Sequence, residues 1–339
     1  MREWIKVSVI GWLLAGVLLS IPAWAGTEPT ERWGWLDITP ADGPAPAPRR
    51  LGTAIYDPIG QRVILFGGRG ASGFLNDAWA LDLATLTWQA VETAGDAPEP
   101  RHGHDAIYDP FYHRMVIWAG QSTRFYNDTR ALDLQTYEWS NITPAERPTA
   151  RYGSVSVLDP LAARLVTFAG FTSEGSRFQD TQGFALGDAV WQDLTPAGLK
   201  PVARCLHTGA YHPFYHQMII YGGQRSGPLD DLWLFDLFEH TWTEWTPAAR
   251  PPGRFFATSF VDPAGRFTVF GGQTAAGNVN ETLSFSFETG QWQRVETEGA
   301  PSARNSHMGV YLPEYDAFLV FGGSGASLLN DLWLLVRLP

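Results

Sequence analysis

The stretch Arg32–Pro40, which reads RWGWLDITP, decides the fold. Similar stretches return at 137–144 (YEWSNITP), 189–196 (AVWQDLTP) and 240–247 (HTWTEWTP). Each of these three ends a longer repeating unit, whereas the first stands before any unit has begun. The chain therefore opens with a segment whose pattern belongs at the end of a repeat.

The repeating unit is marked by an aromatic residue followed by two small residues. The six copies are Phe66-Gly67-Gly68, Trp118-Ala119-Gly120, Phe168-Ala169-Gly170, Tyr221-Gly222-Gly223, Phe270-Gly271-Gly272 and Phe321-Gly322-Gly323. Their mean spacing is 51 residues, and a fixed period of this length indicates a repeat architecture. Short apolar runs bounded by Gly, Pro and Asp separate the copies, which indicates an all-β chain.

Three further residues keep the same period: an Arg before the first strand of each unit, an acidic residue after the two small residues, and a closing Trp. They are Arg49, Arg101, Arg151, Arg204, Arg254 and Arg304; Asp77, Asp128, Asp180, Asp231, Glu281 and Asp331; and Trp88, Trp139, Trp191, Trp242 and Trp292. The acidic residue and the Trp are 11 residues apart in five units, so the sixth would need a Trp at 342, beyond the last residue. The strand around Trp35 can complete the sixth unit only if the units form a closed ring, which leaves no exposed sheet edge.

These marks resemble the kelch repeat, and the resemblance covers about 31–339. It implies an all-β, six-bladed β-propeller with one four-stranded blade per unit, occupying 26–339 as a single domain. In blade 2 the strands are predicted near His104–Tyr108, Arg114–Trp118, Thr129–Leu134 and Tyr137–Ile142. Arg130 and Leu283 depart from the Trp of other units, and the third strand around Phe184 is expected to be weak.

The first 25 residues have a different character. Arg2 and Lys6 precede an apolar run, and Ala23-Trp24-Ala25 fits a cleavage site, so 1–25 are predicted to be a secretory signal peptide. The protein is then expected to be secreted or periplasmic, without membrane insertion after cleavage. Its single cysteine, Cys205, allows no internal disulfide. A net charge of −11 argues against nucleic-acid binding, and we expect a monomer without a cofactor.

Length variation falls in the loops between second and third strands and in the links between blades, which share one face of the ring. Binding residues tend to lie on such loops. We predict that this face binds a protein, a peptide or a glycan, although free loops also vary without function. The candidate binding residues are Arg69, Gln121, Phe171, Gln224, Gln273 and Ser324 after the small pairs, with Phe74, Phe125, Tyr126 and Phe178 in the loops.

The six repeated Arg residues have two interpretations. As a ring they could bind a carboxylate, or each could pair with the acidic residue of its unit, which the repetition favours. His104, His207 and His307 lie in alternate blades and are weak candidates for a metal site. The kelch pattern itself contains Arg-x-x-His, so we expect no metal. Cys205 is expected to be a small buried residue that packs in the core and has no catalytic role.

The chain is also similar in size and repeat type to the periplasmic sialic acid mutarotases (N-acetylneuraminate epimerases). That resemblance would imply a general acid or base and an Arg that binds a carboxylate. Glu174 and Arg177, in the longest loop, are the nearest candidates for these roles. The enzyme alternative therefore remains open beside a binding scaffold.

Overall fold

The computed structural model describes residues 31–339, so the predicted signal peptide lies outside the described residues. The strands are β1 Arg32–Asp37, β2 Thr53–Asp57, β3 Arg62–Gly70, β4 Gly73–Asp82, β5 Thr87–Val91, β6 Ala94–Gly95, β7 Asp105–Asp109, β8 Arg114–Trp118, β9 Thr129–Asp133, β10 Glu138–Asn141, β11 Val155–Asp159, β12 Arg164–Phe168, β13 Thr181–Ala185, β14 Val190–Asp193, β15 Thr208–His212, β16 Gln217–Tyr221, β17 Leu232–Asp236, β18 Trp242–Trp245, β19 Thr258–Val261, β20 Phe267–Phe270, β21 Gln273–Thr274, β22 Gly277–Asn278, β23 Thr282–Ser286, β24 Gln291–Arg294, β25 Thr297–Glu298, β26 Met308–Leu312, β27 Ala317–Ser324 and β28 Leu328–Leu338. A 3-10 turn spans Pro313–Tyr315.

The main strands form six antiparallel blades, which confirms the predicted propeller. Blades 1 to 5 are β2–β5, β7–β10, β11–β14, β15–β18 and β19-β20-β23-β24. Blade 6 has the order β26-β27-β28-β1, and Arg32 pairs with Leu338 while Asp37 pairs with Trp333. The opening stretch of the sequence is thus the outer strand of the last blade. The strand predicted to be weak, β13, pairs through five residues with β12 and through four with β14.

Two circuits of backbone hydrogen bonds run around the ring, next to the central channel. In the first, residues at equivalent places of neighbouring blades bond in succession, and Leu51 N–H donates to Ser306 O at 2.9 Å to close the circuit. Its other members are Gly103, Gly153, Leu206 and Phe256. In the second, the last Gly of each small pair donates to the Arg carbonyl of the next blade, and Gly323 N–H closes it at Arg49 O, 2.9 Å away. Ring closure therefore involves the inner strands as well as β1.

The core lies between the blades, where the faces of neighbouring sheets pack together. Five of the six interfaces are built largely of aliphatic and aromatic side chains on both sides, and each closing Trp packs against an aromatic ring. Trp35 takes this role at the interface of blades 5 and 6, with its ring centroid 4.5 Å from that of Phe270. Burying side chains of this size stabilises a fold by about 2–3 kcal/mol each, so the repeated aromatics hold the blades side by side.

The ring has two faces, which we name by their connections. The loop face carries the loops from second to third strands and the links between blades. The turn face carries the turns from first to second and from third to fourth strands, such as 58–61 and 83–86 in blade 1. Among residues 31–339, we find no helix with the length and apolarity needed to cross a membrane.

Candidate functional site

The centre of the loop face is built from twelve residues in six pairs. In each blade, the residue after the repeated Arg forms a β-bridge with the residue after the small pair. The pairs are Arg50–Arg69, His102–Gln121, Tyr152–Phe171, Cys205–Gln224, Phe255–Gln273 and Asn305–Ser324. The small pairs thus place the predicted candidates Arg69, Gln121, Phe171, Gln224, Gln273 and Ser324 at the channel mouth. Sequence reasoning missed their partners, although each is simply the residue after a conspicuous Arg.

Blades 1 to 3 provide an aromatic half. The Phe74 ring stacks on His102 at 5.3 Å between centroids, and Tyr152 lies 5.7 Å from His102. Phe125 and Phe171 each approach the Tyr152 ring within 6.0 Å. These side chains form one connected layer with partly exposed edges, which can accept an apolar or aromatic group.

Three arginines surround this aromatic layer. The Arg69 guanidinium lies 5.3 Å from the Phe74 ring centroid, and that of Arg177 lies 5.5 Å from the Phe171 centroid. Burial, together with the charges of Arg69 and Arg50, lowers the pKa of His102 to about 4, so this ring is neutral at pH 7. None of the three arginines forms an ion pair within residues 31–339.

Blades 4 to 6 provide a polar half. Arg177 Nη2 donates to Gln224 Oε1 at 3.5 Å, which links the two halves. Asn305 donates to Asn278 Oδ1 at 2.7 Å, and Asn278 donates to the Ser324 carbonyl at 3.2 Å. Amide side chains of this kind can donate and accept at the same time, so this half suits the backbone of an extended peptide.

The distribution of free cations singles out the same face. Within residues 31–339, six lysine or arginine side chains take part in no ion pair. All six lie on the loop face, Arg69 at the end of β3 and the others in loops or links: Arg50, Arg147, Arg177, Lys200 and Arg225. A chain with a net charge of −11 thus keeps its unneutralised positive charge on one side.

The six repeated arginines are not available as ligand groups, and this corrects the idea of a carboxylate-binding ring. Arg49 is fully buried and bonds to both carboxylate oxygens of Asp77 at 2.6 and 2.7 Å. It also donates to the carbonyls of Gly67 and Ala47, so four of its five N–H groups are occupied. The other five are equally buried and pair with the acidic residue of their blade: Arg101–Asp128, Arg151–Asp180, Arg204–Asp231, Arg254–Glu281 and Arg304–Asp331.

Two of the three histidines of alternate blades join neighbouring inner strands. His104 Nε2 lies 2.8 Å from Thr53 Oγ1 in blade 1, and His307 Nε2 lies 2.7 Å from Thr258 Oγ1 in blade 5. Burial lowers the pKa of His207 and of His307 to about 3. In the part of the chain that the structure describes, no three His, Cys, Asp or Glu side chains are placed to hold a metal ion.

The remaining candidates have different surroundings. Tyr126 is buried, and its hydroxyl donates to Glu99 Oε2 at 2.7 Å, so it packs under the loop rather than at its tip. Phe178 lies under the Arg151 guanidinium, 4.0 Å away. Glu174 is exposed at the loop tip. Cys205 is buried beneath the mouth, and burial raises the pKa of its thiol.

The turn face carries a second surface that sequence reasoning missed. In blades 1 to 4, the turn from first to second strand places a large apolar side chain in solvent directly after the proline: Ile59, Phe111, Leu161 and Phe214. Each is at least half exposed. Ala264 and Glu314 take the equivalent places in blades 5 and 6. The four apolar side chains therefore form an arc on the turn face, around part of the opening of the channel on that side. The signal was visible as DPI, DPF, DPL and HPF.

A six-bladed propeller with repeated Arg–acid pairs and a loop-built mouth defines the class of protein, a β-propeller scaffold suited to binding. The chain belongs to the kelch-repeat family, because the model of the KLHDC2/KLHL20/DRC7 Kelch-repeats domain matches residues 29–160 and 162–336. This confirms the resemblance inferred from the small pairs, the acidic residues and the closing Trp.

Curated relatives match parts of this chain and are much longer. Acyl-CoA-binding domain-containing protein 4 of Arabidopsis thaliana is 28% identical over 257 residues, which cover 71% of this chain and 38% of that protein. Host cell factor 1 of Homo sapiens is 23% identical over 259 residues, covering 70% and 12%. Acyl-CoA-binding domain-containing protein 5 of Arabidopsis thaliana is 36% identical over 86 residues, covering 25% and 13%. The chain thus spans less than two-fifths of each of these relatives.

Proposed function

We propose that this protein is an exported binding scaffold whose loop face holds an anionic segment of a partner protein. The observation that carries the proposal is the set of free cations on that face. Arg50, Arg69 and Arg177 surround the aromatic layer at the channel mouth, without acidic partners within residues 31–339.

The chemistry of the mouth supports a peptide that combines negative charge with an apolar side chain. A guanidinium binds a carboxylate through two parallel hydrogen bonds, and this is stronger where water is partly excluded. The layer of Phe74, His102 and Tyr152 offers ring faces and edges to an apolar neighbour. On the other side, the amides of Gln224 and Gln273 are placed for hydrogen bonds to an extended backbone.

Export is part of the proposal and rests on the pattern of residues 1–25. We expect the mature chain to act as a monomer in the periplasm or outside the cell. N-terminal sequencing of the natural protein should find a start near residue 26. A start at Met1 would contradict export by cleavage.

The test measures binding of labelled peptides by fluorescence polarisation. The probes are twelve-residue peptides that mix Glu or Asp with Phe or Leu, and control peptides with Lys in place of each acid. The acidic peptides should bind and weaken as salt is raised. The variant Arg50→Ala, Arg69→Ala, Arg177→Ala should weaken this binding at least tenfold, since each lost charge-assisted contact contributes about 1.5 kcal/mol or more.

The matched control replaces Arg147 and Lys200, which lie in links between blades on the same face, and it should lose much less. Equal binding of acidic and basic peptides, or full binding by the mouth variant, would refute the proposal. A free acidic sugar such as sialic acid presents the same carboxylate and belongs in the same assay. Its anomer exchange, and loss of that exchange in Glu174→Ala, would instead support a mutarotase.

A further inference from the structure

A cleft of about 790 Å³ lies at the edge of blade 5 on the turn face and enters its interface with blade 6. This volume is in the range of small-molecule sites. One wall is formed by strands β20, β23 and β24 of blade 5, and the opposite wall includes Trp33 of the closing strand and Leu335. None of the residues that line the cleft belongs to the channel mouth that forms the proposed peptide site.

The wall from blade 5 departs from all other blades at two buried positions. Thr268 replaces the aliphatic residues Ile64, Val116, Val166, Ile219 and Leu319 of the equivalent strands. Ser284 replaces Ala80, Ala131, Gly183, Leu234 and Leu334. Both side chains are buried, and Thr268 donates to Ser284 Oγ at 3.2 Å. At these two positions the other blades have aliphatic side chains or glycine, whereas this interface carries two hydroxyl groups beside a cavity.

More polar groups continue along the same wall towards solvent. Ser286, Gln293 and Glu288 line the cleft, and none of their side chains donates a hydrogen bond to another described residue. The cleft also has apolar surface, because Trp33 and Leu335 of the facing wall and Phe260 of blade 5 belong to one hydrophobic cluster. A ligand in the cleft therefore meets hydroxyl, amide and carboxylate groups on one side and aromatic and aliphatic surface on the other.

We infer that this cleft binds a neutral saccharide. A sugar ring has a face of C–H groups, which packs on aromatic side chains, and edges of hydroxyl groups, which donate to carboxylates and accept from hydroxyls and amides. The charged groups that line the cleft favour a neutral ligand over an anionic one. Arg266 is paired with Asp262 and Glu31 at 2.7 and 2.6 Å, Arg294 lies 3.7 Å from Glu296, and Glu288 is an exposed carboxylate, so acidic groups outnumber basic ones along the cleft.

The test titrates the full chain with maltotriose, cellotriose, chitotriose and mannotriose, by calorimetry and by saturation-transfer NMR. At least one of these should bind with a dissociation constant of about 1 mM or below. Ser284→Leu introduces the residue of blades 4 and 6 and fills the cleft, so it should weaken binding at least tenfold. Thr268→Val keeps the size of the side chain and removes the hydroxyl, and should weaken it about threefold or more.

The thermal midpoint of each free variant serves as the control for correct folding. Ser284→Leu restores the apolar filling of the other interfaces, so the thermal midpoint of the free chain should stay the same or rise. Arg147→Ala, in the link between blades 2 and 3, should bind the saccharide as the natural chain does. The inference is wrong if no trisaccharide binds at about 10 mM, or if Ser284→Leu folds and binds as tightly as the natural chain.

Discussion

His207 occupies the place in blade 4 that His104 and His307 occupy in blades 2 and 6. All three rings meet the aromatic residue of the previous blade edge-on, with centroids 5.2 to 5.5 Å apart. However, both ring nitrogens of His207 lack a hydrogen-bond partner among the described residues. The cause is residue 155, which is Val where the equivalent positions hold Thr53 and Thr258.

Val155→Thr should therefore stabilise the protein. The new hydroxyl would stand where Thr53 and Thr258 bond to their histidines, and a net hydrogen bond contributes about 1 kcal/mol. Thermal unfolding followed by circular dichroism should show a midpoint about 1–3 °C higher. Val155→Ala, which removes packing without adding a hydroxyl, should lower it. A Thr variant no more stable than the natural chain would show that His207 is satisfied in another way.

Asp105 is a carboxyl without an ion-pair partner in the described structure, on an inner strand at the channel. It accepts hydrogen bonds from Ser154 at 2.6 Å and Ser156 at 2.8 Å in the next blade. Burial raises its pKa to about 6, although these hydroxyls and the charge of Arg151 partly oppose the shift. The folded chain thus holds this proton more tightly than the unfolded chain, whose carboxyl has its usual pKa of 3.8.

Stability should therefore depend on pH through Asp105. Its contribution is fully present below about pH 4 and is lost as the pH rises through about 6. Asp105→Asn mimics the protonated form, so it should raise the thermal midpoint at about pH 7.5 and leave it unchanged near pH 4. Asp133→Asn serves as control, because hydrogen bonds from Thr136 and Gln135 outweigh partial burial and lower the pKa of that carboxyl. A stabilising effect of Asp105→Asn that is the same at both pH values would contradict the assignment.

The two small residues of each repeat differ in what they tolerate, and the backbone explains why. The first has φ between +61° and +67°, the left-handed region that Ala can adopt at a cost of about 1–2 kcal/mol, and blades 2 and 3 have Ala there. The second has φ between +94° and +111° and is Gly in all six blades. At Gly68 a Cβ would also lie 2.9 Å from the Arg50 carbonyl oxygen. The sequence pattern aromatic–small–Gly thus reflects the positive φ angles that the backbone adopts at the two positions after the aromatic residue.

Among the strands, β1 matters most for closure of the ring, because it completes blade 6 from the opposite end of the chain. It pairs with six residues of β28 and buries Trp33 and Trp35. Without it, the eleven-residue β28 would have an unpaired edge, which is a template for association with other chains.

A chain comprising residues 39–339 should consequently aggregate or melt well below the chain 31–339. A synthetic peptide of residues 31–42 should restore the midpoint when added, and the same peptide with Trp35→Ala should restore less. Size-exclusion chromatography and thermal unfolding measure both effects. If the shortened chain is monomeric and equally stable, closure by β1 does not hold the ring together.

Most of the elements could be predicted from the sequence, since the period and the turn residues act locally. The strands predicted for blade 2 agree with β7 to β10 within one residue at nearly every end. Arg130 was noted as a departure, and it donates to Asp128 Oδ2 as Trp79 does to Asp77. Leu283 cannot donate, and its blade has Glu281 in place of Asp and the cleft beside it. Replacements of this kind between equivalent positions depend on contacts between blades, which the sequence of a single repeat does not reveal.

For the whole molecule, the two faces differ in chemistry. The loop face carries the free arginines and lysine, and the turn face carries exposed apolar side chains such as Phe214 and Leu161. The sequence predicted the loop face through its variable lengths. It favoured an acidic partner for Arg49 but left a carboxylate-binding ring open, because the burial of Arg49 depends on how six blades meet. It also gave no sign of the cleft, which exists only where β1 returns to blade 6.

The pairing of Arg32 with Leu338 brings the two ends of the described chain to the same end of one pair of strands. Tension applied between residues 31 and 339 would therefore act on this pair first. It would separate the hydrogen bonds one after another, as in unzipping, rather than load all of them together as in shear. The strand that closes the ring is also its mechanical weak point, and Trp33 places the cleft directly beside it. A ligand bridging the cleft would raise the force at which the ring opens.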